Sequence, residues 1–154
     1  MEIDDPVYRQ CTVDDPVLTD LLQTRPVQRL RNVNQAGPAA LRGDRPVTRY
    51  GHSVGVMLLL REYGASLQEQ VAGLLHDVPH TAFSHVADFV FDDEDHEYHE
   101  RFMEDVIRDS RIPAVLQEHG FVLDDILDES AFPLLERDLP DLCADRIDYF
   151  LRDW

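Results

Sequence analysis

The segment "HDVPHTAFSH", residues 76–85, holds three of the chain's seven histidines and an aspartate within ten positions. One histidine on a loop is usually a solvated or hydrogen-bonded bystander. Three beside an aspartate have the composition of a metal or proton-transfer site. Imidazole nitrogens and carboxylate oxygens together suit a first-row transition ion. Such an ion activates water and neutralises phosphate oxygens, which puts phosphate-ester hydrolysis within reach of this residue set.

The elements that must position these groups read as helices. Strand alternation is scarce, whereas apolar residues recur at helical spacing. "DDPVLTDLLQT" and "RPVQRLRNV" each carry a proline near the first turn. "GPAALRGDRPV", residues 37–47, reads as a loop. The spacing predicts a helix over 48–63 and another over 66–77, the second opened by Ser66 as N-cap with Glu69 three positions on. "DEDHEYHERFMEDVIRDS" reads as a helix with an acidic start, and "RIPAVLQEHG" as a shorter one stopped by Gly120. Residues 139–154 read as the last helix. The expected fold class is all-α, a compact multi-helix bundle with a metal site between helices.

On these helices His52 shares a face with Val56, Leu59, Leu60 and Tyr63, so it points inward. Taken alone, it reads as a satisfied core histidine. His76 and Asp77 close the next helix, where both side chains can reach one ion beyond its end; a turn aspartate and a C-terminal dipole partner are the bland alternatives. The last helix carries two stripes. Cys143, Ile147, Phe150, Leu151 and Trp154 form the apolar one, expected to pack partly on the core and partly against a second copy of the chain. Asp141, Asp145, Asp148, Tyr149 and Arg152 form the polar one, ordinarily a solvated face. That stripe also contains the distant carboxylate that a His, His-Asp set lacks.

Composition sets the outer limits. The 154 residues suit one domain, with core motifs over 28–154, and 44% hydrophobic content argues for a packed core. The net charge is -17 and every one of the 14 basic residues is arginine. A field of that sign repels duplex nucleic acid. A lysine-free, aspartate-rich composition suits a high-salt solvent or follows from a GC-rich genome. No apolar run approaches the ~18 residues of a membrane span, and the acidic N-terminus is unlike a secretory signal. Cys11 and Cys143, far apart and without a CxxC, point to a reducing cytoplasm.

Four blocks in order, "VQRLRNVNQAG", "TRYGHSVGV", "LLHDVPHTAFSH" and "DRIDYFLRD", resemble the HD-domain metal-dependent phosphohydrolases. Their spacing is similar to the branch that includes the deoxynucleoside triphosphate triphosphohydrolases, from about residue 15 to the last residue. The resemblance implies His52, His76, Asp77 and Asp145 as metal ligands for one divalent transition ion (Fe, Mn, Zn, Ni or Co), with Mg a further candidate. It implies His80, His85 and Asp88 at the outer and catalytic positions of that branch. His85 and Asp88 stand at i, i+3, so the carboxylate can orient the imidazole. A helical His-Glu pair normally follows. His96-Glu97 and His99-Glu100 compete for that place, and His99 is preferred because Val106 and Ile107 then fall at the family's apolar offsets. Gln35, Arg49 and Tyr149 match positions holding sugar and phosphates, and Asp153 lies near a sugar contact. The sequence departs at Pro79, Thr81 and Gly51, where the family often has Gly, Gly and an acidic residue.

Beside the resemblance, Arg49 and Arg152 are cations able to meet phosphate bidentately in an otherwise acidic molecule, and His80 or His85 is a candidate proton donor. The leading expectation is a nucleotide phosphohydrolase cleaving dNTPs to deoxynucleoside and triphosphate. A phosphatase or phosphodiesterase on another ester is the second, favoured if His80 or His85 holds a second ion. A metal-binding regulatory module without turnover is the third.

Overall fold

Thr48 begins the central helix: its Oγ1 accepts the Gly51 amide at 3.1 Å, satisfying one of the donors a helix start leaves free. The computed structural model describes residues 1–35, 47–80 and 105–152. In chain order these form strands β1 (Glu2–Asp5) and β2 (Arg9–Thr12), then helices α1 (Pro16–Leu22), α2 (Arg25–Arg29) and α3 (Arg49–Glu62). Helices α4 (Leu67–Leu75), α5 (Ile112–Glu118), α6 (Leu123–Leu127) and α7 (Ala144–Arg152) follow. Short 3-10 turns follow α2 and α6, and residues 105–108 are helical. The fold is mostly helical, as the periodicity implies.

Helix α3 is the axis. Every residue from His52 to Leu60 is buried, with α4 and α7 packed along it. Its end is a Schellman motif: Gly64 takes φ 75°, its amide bonds Arg61 O, and the Ala65 amide reaches back to Leu60 O. The chain reverses there, and Ser66 caps α4 by accepting the Glu69 amide at 3.1 Å. His52 and His76 each stand twelve positions from Gly64. At ~1.5 Å rise per residue the two arms climb equally, so the reversal sets both histidines at one level. Gly120, at φ 80°, ends α5 in the same way.

Four local expectations are corrected. Residues 2–12 form an antiparallel hairpin, pairing Glu2 with Thr12 and Asp5 with Arg9, where no strand was read. Its turn is held by Asp5, whose Oδ1 accepts the amides of Val7 (2.9 Å) and Tyr8 (3.1 Å). The last helix begins at Ala144 rather than 139, and α4 stops at Leu75, leaving His76 as its C-cap and Asp77 in the turn. Tyr63, expected inward beside His52, is 71% exposed. The anticipated loop falls almost wholly outside the described residues, as does most of "DEDHEYHERFMEDVIRDS".

No helix among the described residues is long and apolar enough to cross a membrane. Cys11 and Cys143 are free thiols.

Candidate metal centre

Two imidazoles meet where the arms of the α3–α4 reversal come level. His76 Nε2 lies 3.3 Å from His52 Nε2. Each ring is turned by a bond at its other nitrogen. His76 Nδ1 sits 2.7 Å from Gly73 O, which only accepts, so Nδ1 carries the proton. His52 Nδ1 sits 2.7 Å from Oδ2 of the fully buried Asp148. Both Nε2 atoms therefore point at one locus, the arrangement by which carboxylate or carbonyl partners orient ligating histidines.

Carboxylates close the locus. Asp145 Oδ1, at the start of α7, is 2.7 Å from His52 Nε2 and 3.6 Å from His76 Nε2. Asp77 has its Oδ1 held by Arg49 Nη1 at 2.6 Å and His80 Nε2 at 3.2 Å. Its Oδ2 is buried with no hydrogen-bond partner among the described residues, 4.0 Å from His52 Nε2. A buried carboxylate oxygen left in that state costs several kcal/mol's worth of lost solvation unless a cation faces it. One ligand atom each from His52, His76 and Asp77 lies within 4.8 Å of the others. Bonds of about 2.0–2.2 Å to one ion put neighbouring ligands about 3 Å apart, so this donor set fits a transition ion.

The electrostatics carry the same signature. Burial alone would lower His76, but the charges of Asp77 and Asp145 and a hydrogen bond to Asp145 raise it to about 10. Burial likewise opposes a charged His52, and hydrogen bonds to Asp145 and Asp148 outweigh it. Burial would raise Asp77, yet His76, His80 and Arg49 hold it well below the usual carboxylate range. Asp145 is lowered too, by His52 and His76 against the pull of burial. The carboxylates thus create a place that favours positive charge between the two rings.

Residues 49–153 match the family model of the HD domain. The chain belongs to the HD-domain family. It is 50% identical over 155 residues to the uncharacterized protein YdhJ of Bacillus subtilis, covering 99% of this chain and 47% of that protein. It is 44% identical over 153 residues to the metal-dependent phosphohydrolase cns2 of Cordyceps militaris, covering 98% and 44% respectively. It is 33% identical over 171 residues to the uncharacterized protein YwfO of Bacillus subtilis, covering 97% and 38%. The HD chain thus spans less than half the length of these relatives.

The remaining sequence-derived candidates divide. The structure sets Arg49 and His80 against Asp77. Arg152, also read as a phosphate cation, has its guanidinium on Asp148 (Nε, 2.7 Å) and Asp5 (Nη2, 2.9 Å). Gln35 Oε1 is buried with no hydrogen-bond partner among the described residues, and Tyr149 is 39% exposed with its ring edge-on to Phe150. His85, Asp88, His96, His99 and Asp153 lie outside the described residues. The residue that sequence reasoning left on a solvated face is Asp148. Its signal was the i, i+3 step from Asp145 and the i, i+4 step to Arg152, which put all three on one face. Tyr8, whose hydroxyl meets Asp148 Oδ1 at 2.8 Å, carried no sequence signal.

Proposed function

We propose that this HD domain, read as one unit over 1–154, is a metal-dependent phosphohydrolase that acts on nucleotides, cleaving a dNTP to deoxynucleoside and triphosphate. The observation that carries it is the convergence of two oriented Nε2 atoms on the Asp77 carboxylate, His52 Nε2 4.0 Å from Oδ2 and His76 Nε2 3.8 Å from Oδ1. The Cordyceps militaris relative, a metal-dependent phosphohydrolase, agrees with that chemistry. His52, His76, Asp77 and Asp145 would hold one divalent ion. When bound, the ion supplies an activated water and screens phosphate charge.

The chain's own groups supply the rest. His80 and Arg49 fix the Asp77 carboxylate from behind. His85, steadied by Asp88, protonates the leaving oxygen, with His99 assisting at the helical His-Glu place. Gln35 Oε1, which no donor among the described residues meets, accepts from a sugar hydroxyl. Tyr149 and Asp153 complete the sugar contacts. The 59% and 47% exposures of Phe150 and Leu151 support docking of a second copy and a homo-oligomer. The formal charge of -17 argues against duplex nucleic acid as a partner, and the free thiols are consistent with a cytoplasmic setting.

Product analysis tests the reaction. Incubation of the Mn- or Co-loaded protein with dATP should give deoxyadenosine and inorganic triphosphate; orthophosphate with dADP, or activity confined to monophosphates, would overturn the substrate class.

A further inference from the structure

The bonds that turn His52 toward the locus continue away from it. Asp148 is fully buried and takes three donors: His52 Nδ1 and Arg152 Nε on Oδ2, and Tyr8 Oη on Oδ1. Arg152 spends its other arm on Asp5 Oδ2. Asp5, through its Oδ1, ties down the amides of Val7 and Tyr8 and so shapes the turn that presents the phenol. The path closes on itself. Asp5 sets the turn, the turn aims Tyr8, Tyr8 and Arg152 together fix Asp148, and Asp148 fixes His52.

The fit leaves no slack. At Gly55 of α3 an added Cβ would stand 2.0 Å from Asp148 Oδ1 and 2.1 Å from Arg152 Nη2. The helix is bare where the network lies against it. Burial, then the Asp148 charge, hold the Tyr8 phenol protonated, which keeps it a donor.

We propose that Tyr8 is a positioning residue of the metal centre: its hydroxyl, aimed by the Asp5 turn of the N-terminal hairpin, fixes the Asp148 carboxylate that orients His52. This rests on the metal-centre reading above. A hairpin that merely covers the core would not need this bond.

Co(II) is the probe, added to the full chain made free of metal, with affinity read by chelator competition and geometry by visible absorption. Tyr8→Phe should weaken Co(II) binding by about tenfold or more and change the absorption bands, as loss of an outer partner does. Asp5→Asn, which keeps an acceptor in the turn but removes the charge facing Arg152, should shift both readouts the same way. Arg61→Ala loosens the hairpin elsewhere, at its bonds to Thr12 O and Asp14, and should leave the bands unchanged. Wild-type affinity and bands in Tyr8→Phe, or an equal change in Arg61→Ala, would overturn the proposal while the metal centre stands. A wild-type protein that takes up no Co(II) would overturn the metal-centre reading and this inference with it.

Discussion

Helices α3 and α7 meet at the candidate metal centre with opposite patterning. Helix α3 is apolar almost all round and buried all round, and His52 is one polar residue set into a wall of Val, Met and Leu. Helix α7 turns its polar side inward: Asp148 is fully buried and the Arg152 side chain is 4% exposed, while Phe150 and Leu151 face out. The first helix is placed by the hydrophobic effect and the second by charge. A helix whose inward residues are ionised is held only as long as each charge keeps its partner. The site therefore has one robust wall and one conditional wall.

The largest expected effect comes from breaking the conditional wall. Asp148→Ala removes the buried carboxylate shared by Arg152, Tyr8 and His52 and should lower stability by about 3–5 kcal/mol, the usual cost of removing one partner of a buried pair. Phe150→Ala on the opposite face should stay within about 0.5 kcal/mol. Chemical denaturation of both variants checks this, and equal effects would abolish the contrast. Next comes the contact between the two walls. Gly55→Ala drives a methyl into Asp148 and Arg152 and should cost about 1–3 kcal/mol, as overpacking does. Its melting temperature should fall with metal loading reduced in step.

Protons sharpen the comparison. His76 is raised to about 10 in the ion-free protein, above its ordinary ~6.5, so its proton stabilises that fold. The contribution is complete below about 6.5 and disappears as pH rises through about 10. A metal ion must expel that proton, so affinity should climb with pH across this window and binding at neutral pH should release protons. Calorimetry in two buffers of different ionisation enthalpy measures the release, and none would contradict the charge arrangement. The smallest effect is at the hairpin. Arg9 holds φ 67°, a left-handed conformation that costs a side-chain-bearing residue about 1 kcal/mol. Arg9→Gly should therefore raise stability by up to about 1 kcal/mol while leaving metal affinity unchanged.

The elements legible in the sequence were those placed by apolar periodicity and caps. Helix α3, the Ser66 cap and the Gly120 stop follow from local rules that the tertiary structure does not override. Glu69 shows where local rules end. As the third residue after Ser66 it should reach back to close a capping box, but its carboxylate instead accepts the amides of Leu134 and Leu135 at 2.7 and 3.1 Å. Those donors sit ahead of α7, far along the chain, and nothing near Glu69 announces them. The inversion of α7 was hidden for a related reason. Patterning assumes that apolar residues turn inward, and a face built from Asp145, Asp148 and Arg152 violates that assumption only because partners from α3 and the hairpin await it. His52, His76, Asp77 and Asp145 were readable as types in order. That Asp148 stands behind His52, and Tyr8 behind Asp148, depends on separations of 96 and 140 residues that no window spans.

The equal arms of the α3–α4 reversal have a consequence for what changes the molecule tolerates. Because His52 and His76 are twelve positions either side of Gly64, the pair behaves like the legs of a measuring compass. Many side chains along the legs can be exchanged for others of similar bulk without moving the tips. A single residue inserted or deleted between tip and pivot rotates that tip by about 100° and slides it by about 1.5 Å, carrying one imidazole off the shared locus. Length, more than chemical identity, sets the site in this stretch: substitutions there are edits, and insertions are severances.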